Sequence, residues 1–211
     1  MPTLVRFGSA TWAERHHRDF HRVVSVRAPD ARPTRFGSRE PGSVLTLILT
    51  AEDHYFAPTD SHHSYATEET LRDFLAFCTR DNPSSVLVHC QAGVARSAAL
   101  AACLLLHLSP ATETRSVFQG LSDYRQSGPS DVPLAPTRTI LAPAQSVLGR
   151  HDLLQAAGET FSHRIASDRA RTCAASYGLP RRETAEKLAD LLQSNPGLPP
   201  LHQDQLTALT A

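Results

Sequence analysis

Two hundred and eleven residues make one domain of ordinary size with room for an appendage, since single cores go on growing well past this length. A content of 41% hydrophobic, 20% charged and 6% aromatic residues excludes collagen-like, coiled-coil and wholly disordered chains. Lys plus Arg is 21 and Asp plus Glu is 21, so no global basic field argues for nucleic acid or an acidic membrane surface, although a local pocket can still be strongly positive.

In chain order, the opening Met1-Pro2-Thr3-Leu4-Val5-Arg6 lacks the apolar stretch of a signal peptide. Val23-Val24-Ser25-Val26, closed by Ala28-Pro29-Asp30, reads as a buried strand, and so does Val44-Leu45-Thr46-Leu47-Ile48-Leu49 after Pro41-Gly42. Between Thr67 and Cys78 the apolar Leu71, Phe74, Leu75 and Cys78 recur at three and four residues, with Glu68, Glu69, Arg72 and Asp73 on the other face. That spacing predicts an amphipathic helix that starts near Ala66, is capped by Thr67 and ends before Asn82-Pro83. Val86-Leu87-Val88 reads as a third strand. Ala98 to Leu108 is apolar on all sides except Cys103 and His107, which predicts a helix buried in the centre of a domain. The longest apolar run, Ala98 to Leu106, is too short to span a bilayer, so a reducing cytoplasm is the expected location.

Ser109-Pro110 joins a capping residue to a proline at the first helical position and predicts a further helix from about Ala111 to Arg125, ended by Ser127-Gly128-Pro129. Ile140, Leu141, Ala144, Val147 and Leu148 predict another, broken or started near Pro143. Beyond Gly158 the pattern weakens, with helical stretches at Glu183 to Gln193 and His202 to Thr210 around the loop Asn195 to Pro200. Strand, helix and strand alternate in the middle of the chain, which predicts an α/β fold with a mostly parallel sheet flanked by helices. The expected division is a domain over residues 1–158 and a helical C-terminal extension over 159–211.

Cys78, Cys90, Cys103 and Cys173 are too few and too scattered for a disulfide scaffold, and no C-x-x-C pair suggests structural zinc or a thioredoxin-type motif. All cations but Lys187 are arginine. A GC-rich genome accounts for that bias by itself, although arginine also suits planar phosphate recognition.

One segment carries chemistry: Val86-Leu87-Val88-His89-Cys90-Gln91-Ala92-Gly93-Val94-Ala95-Arg96-Ser97. It reads as a strand that delivers a cysteine into a tight loop, with Gly93 at the middle and a helix beginning at about Ala95. A loop of that form turns successive backbone N–H groups inward, and the following helix adds the positive end of its dipole, so together they form a concave anion site. The same field favours a thiolate, which makes Cys90 a nucleophile at neutral pH. Arg96 can fold back to grip two phosphate oxygens as a fork, which lysine cannot do. Ser97 sits where its hydroxyl could donate to the Cys90 sulfur.

His-Cys, five residues and Arg-Ser, after a strand and before a buried helix, resembles the phosphate-binding loop of the cysteine-dependent protein tyrosine phosphatases, including the dual-specificity group. The resemblance implies a phosphatase domain in which Cys90 attacks phosphorus to give a cysteinyl-phosphate. The amides of Gln91, Ala92, Gly93, Val94, Ala95 and Arg96 and the Arg96 side chain would hold the phosphoryl oxygens, and water would then release phosphate. It further implies that His89 holds the loop by hydrogen bonds and tunes the thiolate without transferring protons. Such an enzyme needs a general acid, in this family an aspartate on a loop after the preceding strand. Asp53 is preferred because it follows the strand Val44 to Leu49 almost directly, and Asp60 is the reserve.

More narrowly, the chain is similar to a small bacterial subgroup whose following helical stretch carries Pro-Asn-Arg and Leu-Gly-Arg. Here Leu148-Gly149-Arg150 matches, whereas Pro136-Thr137-Arg138 has lost the asparagine. The resemblance covers about Arg22 to Leu154. Gln91, Ala92, Val94 and Ala95 are uncharged, unlike the lysine-bearing loops of phosphoinositide phosphatases, so a phosphorylated protein or peptide is the implied partner. Whether phosphotyrosine alone or phosphoserine and phosphothreonine as well are accepted stays open, and Tyr55 and Phe56 either line the pocket or simply pack. No cofactor, nucleic acid or membrane partner is expected.

Two other classes compete. A non-catalytic phosphate-binding module with the same loop is motivated by the choice between Asp53 and Asp60 and by Thr137 in place of asparagine. A sulfurtransferase or arsenate reductase ranks last, because those enzymes lack the His-Cys-x5-Arg-Ser combination or pair it with resolving cysteines. His16-His17, His21, His54 and His62-His63 have no carboxylate spacing to make a metal site, so no metal is expected. Cys78 and Cys103 lie on predicted buried faces and read as packing residues, and Arg181-Arg182 as a solvated helix start.

Overall fold

The run Ser85–Cys90 holds no proline and no formally charged residue, and all six of its residues are buried in the strand they form. A computed structural model describes residues 3–49, 65–126 and 134–161. In chain order these form β1 (Leu4–Ser9), α1 (Ala10–His16), β2 (Arg22–Arg27), β3 (Val44–Ile48), α2 (Glu68–Thr79), β4 (Ser85–Cys90), α3 (Arg96–Leu108), α4 (Thr114–Gln119) and α5 (Arg138–Leu148). Single 3-10 turns lie at His17–Asp19 and Leu121–Tyr124.

The four strands make one sheet in the order β1-β4-β2-β3, and every pairing is parallel. Ser9 lies opposite Cys90, Ser25 opposite His89 and Val23 opposite Val44. β4 is therefore paired on both sides, and its unbroken burial is what a central parallel strand covered on both faces requires. The carboxyl ends of all four strands share one end of the sheet, where Cys90 emerges.

Side chains alternate across the sheet. Val86, Val88 and Cys90 join the main core together with Leu71 and Phe74 of α2, Leu100 and Leu104 of α3 and Ile140 and Leu141 of α5. Leu87 instead joins Ala13, Phe20 and Val23 in a smaller cluster under α1. By the same alternation Cys90 faces the α3 layer and His89 faces the α1 layer. The α/β reading with a parallel sheet and helices on both faces holds.

Thr67 caps α2, its hydroxyl accepting from the Thr70 amide at 3.1 Å, and Leu71, Phe74, Leu75 and Cys78 are buried as the periodicity predicts. The chain leaves α2 through Asp81 and Asn82, both left-handed at φ 61° and 48°, before Pro83. Three expectations change. β1 and α1 had no predicted counterpart. The helix expected from Ala111 to Arg125 shrinks to α4, because Ser109 ends α3 by donating its amide to the Leu105 carbonyl, so Pro110 acts as a stop and not as a start. Gly120 then ends α4. Lastly, α5 runs through Pro143 unbroken, held by the burial of Ile140, Leu141 and Ala144 on either side.

Residues 153–161 are helical across the expected boundary at 158, and Phe161 meets Phe118 edge-on at 6.0 Å. Among the described residues no helix is long and apolar enough to cross a membrane, and no three His, Cys, Asp or Glu side chains gather as a metal site would need. The loop with Asp53, His54, Tyr55, Phe56, Asp60, His62 and His63 lies outside the described residues. So do the predicted helices after 161, with Cys173, Arg181, Arg182 and Lys187.

Candidate active site

Strand β4 ends at Cys90, and the chain turns through Gln91 to Ala95 before α3 begins at Arg96. Two features shape that turn. Gly93 takes a left-handed φ of 72°, and a β-carbon on it would stand 2.6 Å from the Gly8 carbonyl carbon and 2.7 Å from the Ser9 amide. Only glycine lets the loop pass this close to the end of β1. The loop carbonyls are drawn outward: Gln91 O accepts from the Ala10 amide at 3.3 Å and Val94 O from the Ala135 amide at 3.2 Å. Among the described residues no amide from Gln91 to Ala95 donates to another backbone group. Ala95, at the N-cap of α3, has no capping side chain, so the first turn of the helix also keeps its donors. Amides left unpaired around a small concavity favour an anion.

Cys90 is 3% exposed, and its Sγ lies 3.1 Å from Ser97 Oγ. Ser97 is fully buried in the first turn of α3, so the pair is fixed by two regular elements and not by a loose contact. Arg96 is buried as well, and its Nη1 donates to the Leu49 carbonyl at 2.9 Å. Leu49 follows the last residue of β3. The guanidinium therefore bridges the Cys90 loop and the end of β3, beyond which the sequence continues towards Asp53 and Asp60. Leu49, Gly8 and Ala135 all shape the site and carry no local signal in the sequence, because each acts through its backbone.

His89 departs from expectation. It is 1% exposed, and among the described residues neither Nδ1 nor Nε2 has a partner at full hydrogen-bonding geometry, the Cys90 backbone being the polar group that interacts with the ring. Burial pushes its pKa down to about 4, outweighing the nearby Cys90 backbone and the Glu14 carboxylate, which both favour the protonated ring. The imidazole is thus neutral at ordinary pH. Cys78 and Cys103 sit in the core; burial raises both thiols far above the usual range, Cys103 to about 12, which fits packing and not chemistry.

The structure brings Cys90, Gly93, Arg96 and Ser97 together where β4 turns into α3, with His89 directly before Cys90 in the strand. Gln91 and Ala92 are exposed on the loop, Val94 is buried and Ala95 is half-buried.

A family model described as Cyclin-dependent kinase inhibitor 3 matches residues 49–118, which contain the whole loop. The rat protein of that name is 43% identical over 58 residues, 28% of this chain and 27% of the relative. The pig protein is 33% identical over 75 residues, 36% of this chain and 35% of the relative. The chain thus spans about a third or less of the length of these relatives. Two solved structures are similar at a TM-score of 0.43. One is Tk-PTP in its active form, at 18% identity over 69% of this chain and 92% of that one. The other is a mouse putative dual specificity phosphatase complexed with zinc tungstate, at 19% identity over 72% of this chain and 87% of that one.

Proposed function

We propose that this chain, whose loop resembles that of the cysteine-dependent protein tyrosine and dual-specificity phosphatases and lies within the matched residues 49–118, hydrolyses phosphomonoesters of protein side chains, phosphotyrosine first, in two steps. The Cys90 thiolate attacks phosphorus, the bond from phosphorus to the substrate oxygen breaks, and Asp53 gives that oxygen its proton. Water then attacks the cysteinyl-phosphate, Asp53 takes a proton from it, and the Cys90 thiolate leaves as phosphate departs. The amides of Gln91 to Arg96 and the Arg96 guanidinium stabilise the charge on the transferring group.

The observation that carries this reading is the 3.1 Å approach of Ser97 Oγ to Cys90 Sγ. A hydroxyl held there can donate to sulfur as it leaves phosphorus in the second step. A neutral His89 fits a role in shaping the loop and not in moving protons. The name of the matched relatives, cyclin-dependent kinase inhibitor, adds phosphorylated kinases to the protein substrates worth assaying.

Hydrolysis of p-nitrophenyl phosphate tests the proposal. Cys90→Ser abolishes turnover, and a variant as active as the wild type overturns the mechanism. Asp53→Ala slows a phosphotyrosine peptide far more than p-nitrophenyl phosphate, whose leaving group needs no acid; if Asp60→Ala does so instead, the acid is Asp60. Wild-type protein that binds a phosphopeptide for hours without releasing phosphate is a recognition module and not an enzyme.

A further inference from the structure

Among the described residues, an imidazole with no partner at full hydrogen-bonding geometry stands one residue before the proposed nucleophile. A buried polar ring without well-aligned partners is costly, and its orientation is left largely to packing. What does meet it is Phe36, at a centroid distance of 5.3 Å and an interplanar angle of 77°. This is the edge-to-face arrangement aromatic rings prefer. Phe36 is half-buried on the connection between β2 and β3, far from His89 in sequence. It also meets His17 at 5.2 Å and 63°. His17 is buried in turn and tied to Arg39, whose guanidinium donates to the His17 carbonyl. Phe36 is therefore wedged between two buried imidazoles, one of them adjoining Cys90.

We propose that Phe36 is a positioning residue for the nucleophile loop: its ring keeps His89 dry and in one orientation, and His89 thereby holds the end of β4 from which Cys90 projects. Phe36 touches no reacting atom. The groups that act on His89 are the Glu14 carboxylate of α1 and the Cys90 backbone, with His17 beyond the Phe36 ring. The residues opposite it on β1 and β2 are the uncharged Gly8 and Ser25. Removing the Phe36 ring admits water to His89, and a hydrated imidazole takes up a proton more readily. That proton, beside the nucleophile, then favours the thiolate.

The inference rests on the phosphatase reading only for its rate readout, so the test begins with two measurements that need no turnover. In the full-length chain, His89 is followed by NMR titration with labelled histidine, and Cys90 by its rate of alkylation with iodoacetamide against pH. In the wild type His89 stays neutral above pH 5. In Phe36→Ala its midpoint rises by about one to two pH units, and the alkylation profile gains an inflection at the same pH. Phe36→Tyr restores the wild-type profile. In the rate assay Phe36→Ala lowers kcat by about 10- to 100-fold with little change in KM. A folded Phe36→Ala with both profiles unchanged overturns the proposal. Should that variant not fold, Phe36→Leu decides, an upward shift of the His89 midpoint supporting it and none overturning it. If the wild type turns over no phosphate ester while the His89 shift appears, the phosphatase reading fails and the positioning role stands.

Discussion

Two arginines point into this molecule from opposite ends of one sheet, and their surroundings differ. At the amino ends of the strands Arg39 donates to the carbonyls of His17, Phe20 and His21, the last two at 2.7 and 3.2 Å, and to Ser43 Oγ at 3.1 Å. At the carboxyl ends Arg96 donates to the Leu49 carbonyl alone among the described residues. A guanidinium has five N–H donors in a fixed fork. Filled by backbone carbonyls it is a clamp; with one such carbonyl among the described residues it keeps donors for the anion site proposed above. The residue type is the same, and what the backbone leaves unsatisfied decides its role.

Exchanging each arginine for lysine puts that contrast to its hardest test. Arg96→Lys keeps the charge but loses the fork, and kcat/KM for p-nitrophenyl phosphate falls by about 10²–10³ with stability little altered. Arg39→Lys instead lowers the unfolding free energy by about 2–4 kcal/mol in guanidinium titration, through the loss of two or three charge-assisted hydrogen bonds. Equal losses of turnover in the two variants would break the contrast. Gly93→Ala strikes the carboxyl end through the backbone: left-handed strain and the clash with Gly8 together cost about 2–5 kcal/mol, read as a lowered Tm, and turnover is lost as well.

The carboxyl end also carries a cost that depends on pH. Folded His89 refuses a proton until about pH 4, whereas unfolding returns it to the ordinary value of 6.5. As the pH falls from about 6.5 towards 4, the unfolded chain gains a proton that the folded chain does not, and stability drops by up to about 3 kcal/mol. Above pH 6.5 both states are neutral and the penalty vanishes. Denaturation midpoints across this window should fall less steeply for His89→Asn than for the wild type, and equal slopes would remove His89 as the cause. The smallest effect is a control on the same side of the sheet, at the start of α2: Thr67→Ala removes a cap, lowers stability by about 1 kcal/mol and leaves kcat unchanged.

Much of the carboxyl end was legible beforehand. Val86 to Cys90 has no turn residue, Gly93 interrupts the loop and Ala98 to Leu106 has no charge, so strand, loop and buried helix follow from local pattern. The helix from Thr67 was legible for the same reason, its cap and its three-and-four spacing lying within one segment. β1 was not. Val5 and Phe7 alternate with Leu4 and Arg6, but the run holds one β-branched residue and becomes a strand because the edge of β4 is there to pair with. Ser109-Pro110 misled because a proline one residue past a helix end and one at a helix start look alike until the Ser109 amide finds its acceptor.

Taken alone, the sequence singled out the residues proposed to carry the chemistry, since Cys90, Arg96 and Ser97 lie within eight consecutive positions. It also set their protein in an α/β frame, because hydrophobic periodicity is a local property of the chain. Tertiary structure alone decided what those residues lean on: the Leu49 carbonyl for Arg96, the Gly8 backbone for Gly93, the Phe36 ring for His89. These contacts join positions far apart in sequence, and two of the three act through main-chain atoms that every residue has. A sequence therefore does not mark them. Only packing the strands side by side brings them within reach.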